Sequence, residues 1–109
     1  MKQKSPFELI SDLHGQVGRL LRSFDIDSLP SDERQILSTL KRQAADTRLD
    51  MRDYGLAETA KEQRSYAEAV RARLRQLDET ILEAGGSNLI GAADVAQLSA
   101  ITHQLMADV

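Results

Sequence analysis

Met51-Arg52-Asp53-Tyr54-Gly55-Leu56-Ala57-Glu58-Thr59-Ala60-Lys61-Glu62 interrupts a helical pattern that otherwise runs from residue 32 to residue 84. Before it, Ile36, Leu37, Leu40, Ala44, Thr47, Met51 and Tyr54 recur at spacings of three and four, which places them on one helical face. After it, Leu56, Ala60, Ala67, Val70, Leu74, Leu77, Ile81 and Ala84 make a second stripe. At about 100° per residue the two stripes point about 140° apart, so one straight helix cannot bury both against a single partner. Gly55 weakens helix at the changeover, and Thr59-Ala60-Lys61-Glu62 has the form of a capping box. The spacing predicts a break near residues 54–58 and an antiparallel pair of long helices. The competing arrangement, one continuous helix burying its second stripe on another chain, stays open at this point.

Working outward, Asp25-Ile26-Asp27-Ser28-Leu29-Pro30 reads as a linker, and Ser31 is placed to cap the helix after it, with Asp32 and Glu33 at its positive end. Upstream, Ser5-Pro6-Phe7-Glu8 is a second capping-box pattern with proline in the first helical position. Phe7, Ile10, Leu13, Val17, Leu20, Leu21 and Phe24 form the apolar face of this first helix. Downstream, Gly85-Gly86 offers a left-handed C-cap, and Ser87 or Asn88 is placed to cap a last helix carrying Ile90, Leu98, Ile101 and Leu105. Period-two alternation and hairpin-spaced turn signals do not occur. The expectation is a single all-α domain over residues 1–109, a small up-and-down bundle of about four helices near 6–24, 32–54, 58–84 and 88–107, with a long antiparallel helical hairpin in the middle.

The chain has 109 residues, of which 41% are hydrophobic and 28% charged, with a formal net charge of −3 and no cysteine. The acidic balance argues against a general nucleic-acid or membrane-surface coat. The missing cysteines remove disulfides, thiol catalysis and cysteine-bound zinc. Met1-Lys2-Gln3-Lys4 is not followed by the apolar run of a signal peptide, and the uncharged stretch Val95 to Ala107 is shorter than the ~20 residues of a membrane span. A cytoplasmic protein with no membrane contact is expected.

Chemistry-bearing constellations are sparse. Asp46, Asp50 and Asp53 sit at helical spacing, but the Glu-x-x-His signature of a helical di-metal site is absent, so no metal ligand, cofactor site or catalytic residue is assigned. Arg64, Arg71 and Arg75 fall along one helical line with Glu68 among them; a nucleic-acid face is conceivable there, but no aromatic falls on that line for stacking, and a solvated ion-paired face is the simpler reading. Leu13-His14-Gly15-Gln16-Val17-Gly18 resembles the histidine-phosphotransfer domains of bacterial phosphorelays over about six residues. The resemblance implies a phosphorylatable His14, with Gly18 in the place of the family's glycine; the family's lysine position holds Val17 instead.

The reading these features favour is a small helical protein–protein interaction module: an adapter, a chaperone-like protein or a regulatory subunit. It is expected to act as a homodimer or in a hetero-complex, with no small-molecule substrate. The expected contact residues are Met51, Tyr54 and Leu56 at the helix junction and Leu98, Ile101 and Leu105 on the last helix. Ala92, Ala96 and Ala100 read as ordinary core that closes the bundle.

Overall fold

A computed structural model describes residues 4–109; the first three residues of the Met1-Lys2-Gln3-Lys4 stretch lie outside the described residues. Four α-helices follow one another: α1 (Pro6–Arg22), α2 (Ser31–Leu56), α3 (Ala60–Gly86) and α4 (Ala92–Asp108), with a 3-10 turn at Ile26–Ser28 between the first two. Each packs on the next, and α4 closes on α1. The α2–α3 interface is the most extensive, so the long run between residues 31 and 86 is an antiparallel hairpin. The body measures 47 × 31 × 20 Å.

The reversal is built locally. Thr59 Oγ1 accepts the amide of Glu62 at 3.1 Å, and Glu62 Oε2 accepts the amide of Glu58 at 3.3 Å, so the capping box closes one residue earlier than its usual reciprocal form. Ser5 caps α1 in the same way, its hydroxyl 3.2 Å from the amide of Glu8. Just before it, Lys4 pairs with Asp12, and the hydrogen bond to that carboxylate raises the lysine pKa.

Ile10, Leu13 and Val17 from α1 meet Leu37, Leu40 and Met51 from α2, Val70, Leu74, Leu77 and Ile81 from α3, and Leu98 and Leu105 from α4 in one core. Three threonines are buried in it. Thr47 and Thr102 donate back to the carbonyls of Gln43 and Leu98, at 2.6 and 2.8 Å. Thr80 Oγ1 lies 2.6 Å from Gln43 Oε1, which ties α3 to α2 through a polar contact at the edge of the apolar interior. Among the described residues no buried side-chain polar atom is left without a partner.

Several boundaries differ from the expectations. Ser31 is the first residue of α2 and does not cap it; Pro30 holds the cap position without a side-chain bond. The chain leaves α3 through Asn88, not through either glycine: Asn88 has φ 59°, while Gly85 and Gly86 both stay helical. The amide of Leu89 bonds the carbonyl of Ala84 at 3.0 Å and that of Asn88 bonds Gly85 at 3.1 Å, the two bonds of a Schellman ending. Asparagine tolerates this left-handed conformation better than most residues. Ser87 and Asn88 therefore belong to the turn, Leu89 and Ile90 plug the core from it, and α4 begins only at Ala92 with Gly91 as its cap. Gly85 serves packing instead: a Cβ there would lie 2.6 Å from Val95 Cγ2, so its absence lets α3 and α4 approach.

Thr59→Ala removes the cap of α3 and should lower the unfolding free energy by about 1 kcal/mol in urea titrations. Gly15→Ala, where an added methyl meets nothing within 4 Å, should raise stability by about 0.5–1 kcal/mol, whereas Gly85→Ala should lower it by overpacking. The Gly85→Ala loss should shrink in a Val95→Ala background when both are compared by thermal unfolding.

Candidate functional site

The structure separates the six expected contact residues. Met51, Leu98 and Leu105 are fully buried in this chain's own core, Leu98 with 1% of its surface exposed. They are corrected here from partner anchors to structural residues, because the apolar stripes that carry them are those by which α2 and α4 join the bundle. Tyr54 and Ile101 are half-buried against the edge of that core. Leu56 alone of the six is well exposed, at 69%. Leu49, seven residues earlier and so on the same outward side of α2, is 50% exposed. The alanine stripe of α4 is also corrected: Ala92, Ala96 and Ala100 all face solvent, while Leu98, Thr102 and Leu105 close the bundle.

A groove between α1 and α2 was not anticipated. At one end Arg48 Nε lies 3.3 Å from Ser11 Oγ, and the guanidinium carbon is 5.6 Å from the centre of the Phe7 ring, a cation–π distance. At the other end lies an open cavity of about 410 Å³. Leu21, Ile26 and Leu37 supply its apolar lining, Arg22, Arg34 and Lys41 its charge, and no carboxylate lines it.

The groove owes this charge to a partition across α2. Arg34, Lys41 and Arg48 recur every seven residues and lie along the flank facing α1. Asp46 and Asp50 lie on the opposite flank, where both meet Arg73 of α3, Asp46 at 3.7 Å. The seven-residue spacing of the cations is a signal the sequence carries, but assigning that flank to a groove requires knowing which neighbour α2 meets on each side.

The remaining polar groups lie on α1, α3 and α4. Ser99 Oγ and His103 Nε2 both approach Asp78, at 2.8 and 3.1 Å on separate carboxylate oxygens. The imidazole and the hydroxyl thus share a carboxylate without forming a nucleophile–base pair with each other. Arg71 donates to the backbone carbonyl of Val109, while Arg64 and Arg75 are exposed. His14 is half-buried on the flank of α1, and Val17 is in the core. Among the described residues no group of three or more His, Asp or Glu side chains is placed to hold a metal ion, and no helix is long and apolar enough to cross a membrane.

Leu98→Ala should lower the unfolding free energy by about 2–5 kcal/mol, as for other fully buried leucines, and any loss of assembly should track the unfolded fraction seen by circular dichroism. No protein-family model, curated protein or solved structure matches this chain.

Proposed function

We propose that the chain is a helical interaction module that docks a partner protein, or a second copy of itself, on the α1–α2 side of the bundle. The observation that carries this reading is the pair Leu49 and Leu56, exposed two turns apart on the outward side of α2. A single exposed leucine is ordinary in a folded protein. Two at this spacing match the anchors of helix-in-groove recognition, and covering what each still exposes offers about 1–2 kcal/mol of apolar burial. The closed end of the hairpin is exposed as well, with Tyr66 38% exposed and residues 58–66 open to solvent. In this reading the chain serves as an adapter, a chaperone-like protein or a regulatory subunit, and the four-helix core is the scaffold that holds α2 rigid.

The test is the double variant Leu49→Glu/Leu56→Glu. Exposed positions normally tolerate such changes within about 0.5 kcal/mol, so the melting curve should stay nearly unchanged. Multi-angle light scattering of the purified protein and cross-linked capture in native cells should then show the wild-type assembly lost. A folded variant that retains the whole assembly would overturn the proposal.

A further inference from the structure

We infer that the groove between α1 and α2 receives an acidic amphipathic helix of a partner protein. This rests on the interaction-module reading and adds the chemistry of the partner.

Charge is the first argument. The chain is acidic, with a formal net charge of −3, yet no carboxylate lines this cavity. Arg22, Arg34 and Lys41 have no ion-pair partner among the described residues: Asp46 and Asp50 meet Arg73 on the other flank, and the nearer Asp25, Asp27, Asp32 and Glu33 do not pair with them. A binding partner that supplies carboxylates meets three cations without displacing any existing pair.

The apolar lining narrows the class. Leu37 is fully buried and Leu21 nearly so, and Ile26 on the 3-10 turn, 38% exposed, is the apolar side chain that the cavity leaves open. A purely anionic chain neutralises the cations but leaves this surface wet, and the lining has no aromatic ring on which a base could stack. An amphipathic helix satisfies both demands, with leucine-like anchors on the lining and Asp or Glu along its edges. Within the cavity the cations of α2 run from Arg34 to Lys41, about 10 Å at ~1.5 Å per residue, which matches about two turns of a docked helix.

Gly18 points the same way. It lines the cavity in the interior of α1, where glycine costs about 1 kcal/mol relative to alanine. Nothing in this chain requires the missing side chain: a Cβ would find only Arg22 Nη1, at 3.8 Å. The bare backbone widens the groove for an incoming chain.

The experiment uses the full chain, isotope-labelled for amide NMR, and a synthetic peptide of about 18 residues with leucines at three- and four-residue spacing between flanking glutamates. Three controls are an analogue with every glutamate changed to lysine, an analogue with every leucine changed to serine, and oligothymidylate of equal length. The expected result is saturable shifts centred on Gly18, Ser38 and Lys41, absent with both analogues. Arg34→Glu/Lys41→Glu should weaken binding about tenfold or more, with its own melting temperature nearly unchanged. Gly18→Leu, which fills the groove and favours helix, should block the peptide while the protein stays folded.

No saturable shift up to about 1 mM peptide, or shifts confined to the α3–α4 face, overturns the inference. Equal affinity for the serine analogue or for oligothymidylate also overturns it, in favour of a general anion or nucleic-acid surface. If the assembly lost in Leu49→Glu/Leu56→Glu is real but the peptide ignores the groove, this inference alone falls. If the peptide fills the groove while the Leu49/Leu56 variant keeps its assembly, the leucine anchors fall and the groove stands.

Discussion

The reversal at residues 57–59 sets the two longest helices side by side, and the rest of the bundle is assembled on the surfaces that this pairing creates. A helix running straight through from Ser31 to Gly86 would point its two apolar stripes in different directions and leave one bare. Breaking it lets Leu40, Ala44 and Met51 face Val70, Leu74 and Leu77 across one interior. The break itself depends on little: a threonine hydroxyl, a glutamate reaching back, and a glycine nearby that makes continuation unfavourable. Because these contacts are local, the hairpin can form with small loop-closure cost. α1 and α4 then cover its two sides, joined to each other along a smaller seam.

Where structure follows from neighbours in sequence, the reading from sequence held. Ser5 with Glu8, Thr59 with Glu62, and the apolar stripes of α1, α2 and, from Ala67 onward, α3 depend on spacings of three and four and are present; Leu56 and Ala60, expected to open the third stripe, are exposed. The failures share a different cause. Gly85-Gly86 looks like a helix ending, but what decides Gly85 is the side chain of Val95 on another helix, and the left-handed position passes to Asn88. Likewise, a leucine at stripe spacing announces that it will be buried without saying by what. Leu98 and Leu105 are buried by their own chain, whereas Leu56, expected to open the stripe of α3, is instead the last residue of α2, lies on its outward side and is left open.

The α1–α2 groove was hidden for a related reason. Each of its cations is visible as a letter, but in a helix with both signs interspersed the partition emerges only once the neighbours are known. Asp46 and Asp50 are drawn to Arg73, and Arg48 settles over Phe7 and Ser11. Among the described residues Arg22, Arg34 and Lys41 stay unpaired beside the cavity, gathered there by the way α1 returns into α2 through the 3-10 turn. A chain with a net negative charge can in this way keep a cationic side, since the overall balance says nothing about how charge is distributed.

The same hairpin also decides what spectroscopy can see. The chain has no tryptophan and two tyrosines, Tyr54 and Tyr66, and both lie toward the closed end of the α2–α3 pair. Intrinsic ultraviolet emission therefore originates from one end of the molecule. The turn at Ile26–Ser28, the Schellman ending at Asn88 and the cationic groove are all dark to it. A melt followed by tyrosine emission would report the hairpin's reversal and leave loosening at the opposite end unrecorded, while a partner settling beside Leu56 would announce itself without a label.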